Sequence, residues 1–159
     1  RMVTVSAIST IVFAIIVMAV AGPLIDDKDG VSIIALQLSF SKEAGESIIS
    51  TWSIEAFNKW IVMDYLYALS YMTFFASLIL YIEKRKGITH SLYPYIAITA
   101  GIFDWIENSL ELWFLHDTSG FPATLFFIHS ILATLKWLAV PIILWYFVKL
   151  FRTQKVQQL

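Results

Sequence analysis

The chain has 159 residues, of which 58% are hydrophobic and 14% are charged, and its mean hydropathy is +0.74. Soluble domains are about 45–50% apolar and about 25% charged, so this composition argues against a soluble globular protein. The net charge of −1 argues against a nucleic-acid partner, and the absence of cysteine excludes disulfides and thiolate chemistry. The length suits a single integral membrane domain, residues 1–159.

The first apolar run covers residues 3–25 and contains no charged side chain. A motif of small residues near its end resembles a signal-peptidase site, but the run is longer than the apolar core of a signal peptide. We therefore expect a retained transmembrane helix. Three acidic residues follow it, Asp26, Asp27 and Asp29.

The connection between the first and second spans is too long for a turn and too short for a domain. A turn at Asp29-Gly30 precedes a mostly apolar segment, residues 31–40. Ser41 is placed to cap a short helix. We expect this connection to form a partly helical loop that covers the outer face of the bundle.

Three further apolar stretches are long enough to cross a bilayer with some tilt. They cover about residues 54–82, 94–115 and 122–151. Pro94 and Pro122 lie at the starts of the last two, where a first-turn proline is tolerated. Together with the first run, these stretches predict an all-α fold, a four-helix transmembrane bundle.

Basic residues cluster after the second and fourth spans, whereas the other two connections are acidic or nearly neutral. Because loops rich in lysine and arginine stay in the cytoplasm, both termini are expected to be cytoplasmic. The clustered residues are Lys84, Arg85, Lys86, Lys149, Arg152 and Lys155.

Six ionisable side chains lie inside the apolar segments, which a simple membrane anchor would not require. An Asp or Lys near the centre of a membrane helix costs about 2.5–3.5 kcal/mol, so several facing lipid would cost about 10 kcal/mol. These side chains are therefore expected to face one another or a wet cavity. The six are Asp64, Asp104, Glu107, Glu111, His129 and Lys136.

Helical spacing gathers the polar groups on inward faces. Asp104, Asn108 and Glu111 follow offsets of three and four along the third span, with Glu107 at the border of that face. One acid and two phenols form a comparable stripe on the second span. The predicted ligand- or ion-binding residues are Asp64, Tyr67, Tyr71, Asp104, Glu107, Asn108, Glu111, His129 and Lys136. No catalytic residue is assigned.

Two other interpretations of these polar groups stay open. Lys136 paired with Asp104 or Glu107 would merely fix the order of the helices. A metal site would use Glu107, Glu111 and His129, but no HExxH-like pair or repeated histidine spacing supports it. The sequence therefore predicts neither a metal nor a cofactor.

Four segments, LQLSFS, MDYLYALSY, GIFDWIENSLEL and ATLKWLAV, together resemble a group of uncharacterised small bacterial four-helix integral membrane proteins. The resemblance covers most of the chain, implies the bacterial inner membrane and brings no activity with it. In architecture, the chain is distantly similar to the EXPERA membrane proteins, which include sterol isomerases and sigma-type receptors with buried acids in an intramembrane pocket. No catalytic residue matches one for one, so this similarity implies only a lipid-like ligand.

Three functions fit these residues. The first is proton- or cation-coupled binding or transport of a small molecule, in which Asp64, Asp104 and Glu107 hold the cation. Four short spans are expected to need a homodimer to build such a pathway. The second is an intramembrane enzyme or receptor for a lipid-like ligand, and the third is a structural accessory subunit. Membrane lipids are the partners expected in every case.

Overall fold

The computed structural model describes residues 1–25, with side chains through residue 19, and residues 33–118 and 120–152. The acidic group after the first span, the turn at Asp29-Gly30 and the basic residue Lys155 lie outside the described residues. The described part folds into helices, as the sequence predicts. They are α1 (Met2–Ile25), α2 (Ile33–Gln37), α3 (Lys42–Ile49), α4 (Ile54–Arg85), α5 (Tyr93–His116) and α6 (Ala123–Arg152).

Three of the described helices, α1, α4 and α6, are long and apolar enough to cross a membrane. The chain is therefore a membrane protein. The fourth long helix, α5, has 24 residues but does not meet the same criterion of hydropathy. Its three carboxylates and Asn108 lower its hydropathy, although its bounds agree closely with the predicted stretch 94–115.

The long helices pack mainly in chain order, α1 against α4, α4 against α5, and α5 against α6. The short helices α2 and α3 pack against each other and against α6. As predicted, Ser41 caps α3, because its hydroxyl accepts a hydrogen bond from the backbone N–H of Ala44. Ser53 caps α4 in the same way through Ala56. The loop between the first two long helices is thus partly helical.

Two apolar cores lie at opposite ends of the helix packing. One includes Phe57, Phe114 and Phe126, beside α2 and α3. The other includes Ile79 and Ile143, toward the ends where α4 and α6 finish. Asp64 of α4, the buried acids and Asn108 of α5, and His129 of α6 fall between these two cores along their helices. This order places the polar cluster at mid-depth.

Gly45 lets α3 lie directly on α6. A Cβ at Gly45 would overlap the ring of Phe126, which is fully buried against Phe114 and Phe121. Gly45→Ala gains about 1 kcal/mol of helix propensity but costs about 1–3 kcal/mol of overpacking. We expect a net loss of about 1 kcal/mol, seen as a lower melting temperature of the protein in detergent.

Ser47→Ala provides the matched control, because Ser47 lies in the same helix and is exposed. This control should melt at or slightly above the wild-type temperature. A Gly45→Ala variant as stable as Ser47→Ala would contradict the packing of α3 on α6 described here.

Candidate functional site

Lys136 of α6 forms the centre of the polar cluster. Its Nζ atom lies 2.7 Å from Asp104 Oδ1 and 2.8 Å from Glu107 Oε2, both on α5. The hydroxyl of Tyr71 on α4 donates to the other oxygen of Asp104, at 3.0 Å. One lysine thus joins two carboxylates one turn apart, and a phenol ties the pair to a third helix.

Asp64 of α4 is bound differently. Its Oδ2 atom accepts a hydrogen bond of 2.8 Å from the side-chain amide of Asn108 on α5. Asp64 is buried, and it forms no ion pair with any residue that the structure describes. The Asp64 carboxylate therefore has the Asn108 amide as a hydrogen-bond donor but contacts no cationic side chain among the described residues.

Glu111 and His129 form a second contact between α5 and α6. His129 Nε2 lies 3.1 Å from Glu111 Oε1, and both side chains are completely buried. The rings of Phe114 and Phe126 lie 5.5 and 5.4 Å from the imidazole, centre to centre. This part of the cluster is enclosed by the aromatic core rather than by an aqueous space.

A cavity of about 390 Å³ lies beside the first part of the cluster. Residues of α4 and α6 form most of its lining, and Ala97, Ala100 and Asp104 of α5 and three residues of α2 complete it. Most of the lining is apolar or aromatic, and the polar groups sit together. Those groups are Gln37, Asp64, Tyr67, Tyr71, Asp104 and Lys136.

The cavity has an exposed apolar rim. Ile34, Val140 and Leu144 line it and are 49%, 43% and 54% exposed, respectively. Ala139 and Ile143, on the inner face of α6, line it and are buried. The cavity is therefore open at the side, between α4 and α6, where the exposed lining residues are apolar.

Gln37 is a site residue that the sequence analysis missed. It lines the cavity from α2, and its Oε1 atom accepts a hydrogen bond of 3.1 Å from the indole N–H of Trp137. The same indole ring lies 5.6 Å from the ammonium of Lys136. A glutamine that interrupts an apolar segment was the available signal, but nothing in the sequence brings residue 37 beside residue 137.

The nine predicted site residues all lie in this region of the structure, and they fall into two groups. Five line the open cavity: Asp64, Tyr67, Tyr71, Asp104 and Lys136. The other four lie in the closed core beside it: Glu107, Asn108, Glu111 and His129. Tyr67 has no hydrogen bond within the described residues and joins the first group through its edge contact with Tyr71, at 5.3 Å between ring centres.

No family model, curated protein or solved structure matches this chain. The resemblance to small bacterial four-helix membrane proteins and the distant similarity to the EXPERA proteins therefore stay predictions.

Replacing Lys136 tests whether its ion pairs hold α5 to α6. Lys136→Met would leave two buried carboxylates without their cation, a change that costs about 3–5 kcal/mol in buried pairs. We expect a loss of this size in the free energy of unfolding of the purified protein, measured by titration with sodium dodecyl sulfate.

The pair of Lys59 with Glu55 is a matched control on α4. The two charged groups lie 2.7 Å apart, but the side chains are 68% and 80% exposed. Lys59→Met should cost less than about 1 kcal/mol, because exposed pairs contribute little. If the two substitutions lowered the free energy of unfolding equally, burial of the Lys136 ion pairs would not explain their contribution to stability.

Proposed function

We propose that the protein crosses the membrane four times, with α5 as the fourth span. Its acidic side chains do not argue against this, because Asp104, Glu107 and Glu111 are each at most 4% exposed. They face α4 and α6 rather than lipid, so the cost of placing them in a membrane is reduced by hydrogen bonds and ion pairs. The lipid-facing side of α5 carries apolar residues such as Ile102 and Ile106, which are exposed.

Both termini are assigned to the cytoplasm. The side chain of Lys86 donates to the backbone carbonyl of Leu150, so the end of α4 and the end of α6 lie together. Both ends carry basic residues, Lys84 and Arg85 on α4, and Lys149 and Arg152 on α6. The rule that basic loops stay inside supports a cytoplasmic position for this end and an outer position for α2 and α3.

The absence of native cysteine allows a direct test of this orientation. We expect Ser47→Cys, in exposed α3, to react with a membrane-impermeant maleimide in intact bacterial cells that produce the protein. Lys84→Cys, at the opposite end, should react only after the cells are broken. The unchanged chain serves as the unlabelled control, and the reverse order of labelling would rule out the orientation.

We also propose that the cavity between α4 and α6 binds a lipid-like molecule with a positively charged head. The observation that carries this proposal is the position of Asp64, a buried carboxylate without an ion-pair partner among the described residues, in a cavity with mostly apolar walls. The volume of about 390 Å³ lies in the usual range for small-molecule sites. An apolar chain would lie along α4 and α6 while the head contacts Asp64.

The exposed rim supports entry from the membrane rather than from water. Val140 and Leu144 are apolar and exposed, so a ligand dissolved in the bilayer would reach the opening without leaving an apolar environment. Tyr67 and Gln37 add neutral hydrogen-bonding groups near the acid.

Proton- or cation-coupled transport is a second candidate, and the surplus of acids favours it. The cluster contains four carboxylates, Asp64, Asp104, Glu107 and Glu111, whereas Lys136 is its only lysine or arginine within the described residues. A small cation or a proton would reduce this excess. Such a pathway through four spans would need a second copy of the chain, whereas a ligand-binding cavity is complete in one copy.

A binding assay in lipid nanodiscs tests the ligand proposal. The probes are dodecyltrimethylammonium, laurate and dodecanol, which share a twelve-carbon chain and differ in the charge of the head. We expect saturable binding of the cationic probe and at least about tenfold weaker binding of the other two, equivalent to about 1.4 kcal/mol. Asp64→Asn should remove this preference for the cation, and Ala139→Phe should block all binding by filling the cavity.

Leu138→Phe is the control for added bulk, because Leu138 is exposed on α6 and does not line the cavity. Equal affinity for the three probes, or a preference that survives in Asp64→Asn, would overturn the proposal. Uptake of radiolabelled dodecyltrimethylammonium into proteoliposomes separates the two candidates. Binding without uptake supports a receptor-like site, and uptake that depends on Asp64 supports transport.

A further inference from the structure

The closed core beside the cavity holds a second group of side chains with its own chemistry. Glu107 and Glu111 lie one turn apart on α5, and His129 faces them from α6. One ligand atom from each of the three lies within 4.8 Å of the others. All three side chains are at most 1% exposed, and none of them lines the cavity.

Several polar atoms of this group have no hydrogen-bond partner among the residues that the structure describes. They are Glu107 Oε1, Glu111 Oε2 and His129 Nδ1, and all three are buried. A buried acceptor left without a partner lowers the free energy of unfolding by about 1–3 kcal/mol. Three such atoms in one place are therefore unusual unless they bind something. Nearby contacts use other atoms, since Lys136 faces Glu107 Oε2 and the Glu111–His129 contact uses Oε1.

We propose that Glu107, Glu111 and His129 bind a divalent metal ion of the first transition row, such as Zn²⁺. Zn²⁺ is bound by imidazole nitrogen and carboxylate oxygen atoms, and its catalytic sites typically have three protein ligands. Because the chain has no cysteine, thiolate-dependent metals are excluded as occupants. This site is separate from the ligand cavity and does not depend on the function proposed for it.

The geometry admits an ion after a small closure. When three atoms lie within 4.8 Å of one another, one point in space lies within about 2.8 Å of all three. Zinc bonds to nitrogen and oxygen are about 2.0–2.2 Å long. A movement of less than about 1 Å per side chain would therefore complete the bonds.

The charge balance of the whole cluster supports the same conclusion. Lys136 lies 2.7 Å from Asp104 and so has one carboxylate of its own, although it also contacts Glu107. A divalent ion would balance the charges of Glu107 and Glu111. Of the four acids in the cluster, only Asp64 would then lack a cation, and Asp64 lines the open cavity. A metal in the closed core and a cationic head in the cavity would together account for all four acids.

The test measures metal in the intact protein. The full chain is purified in detergent, stripped with a chelator, loaded with Zn²⁺ or Co²⁺ and dialysed. We expect about one tightly held ion per folded chain, a rise in melting temperature on loading, and X-ray absorption that shows one imidazole nitrogen with oxygen ligands.

Glu111→Gln and His129→Asn should each lower the bound Zn²⁺ to background. Glu83→Gln is the matched control, because Glu83 is a buried glutamate of α4 at the other end of the bundle, where it accepts a hydrogen bond from Tyr146. This variant should keep its metal.

The wild-type measurement remains decisive if a site variant fails to fold. Substoichiometric Zn²⁺ in folded wild-type protein, or an absorption spectrum without imidazole, would overturn the site. Retention of the metal in a folded Glu111→Gln variant would overturn it as well, and would point to protons as the groups that balance the buried acids.

Discussion

The ion pairs of Lys136 with Asp104 and Glu107 connect helices α5 and α6 in the interior of the protein, where both carboxylates are buried. A buried carboxylate is tolerated only where a cation, a hydrogen-bond donor or a proton lies beside it. This requirement explains why α5, which carries three buried carboxylates, packs between α4 and α6. There, Tyr71 and Asn108 provide additional donors to the acids.

The same requirement divides the polar cluster into two environments. Toward the exposed gap between α4 and α6, the acids border a cavity with apolar walls, so their environment suits an amphipathic molecule. Toward α3, the aromatic residues Phe114 and Phe126 close over Glu111 and His129. An open and an enclosed polar environment thus lie side by side on α5.

The local features of the fold were accessible from the chain itself. The serine cap of α3 follows from a hydroxyl at the start of a short helical pattern, and the long helices follow from apolar length. The inward face of α5 follows from the spacing of Asp104, Asn108 and Glu111, because residues three and four apart share one side of a helix. Each of these inferences needs information from a single segment.

Contacts between segments that are distant in the chain could not be predicted from single segments of the sequence. The amino-acid sequence by itself determined that the chain is a helical membrane protein and that nine named residues form a polar group. Only the tertiary structure decided that Asp64 and Asn108 are partners, that Gln37 reaches Trp137, and which acids border a cavity. The reason is that helix periodicity sets which side of a helix a residue occupies, whereas its partner depends on how helices rotate and cross when they pack.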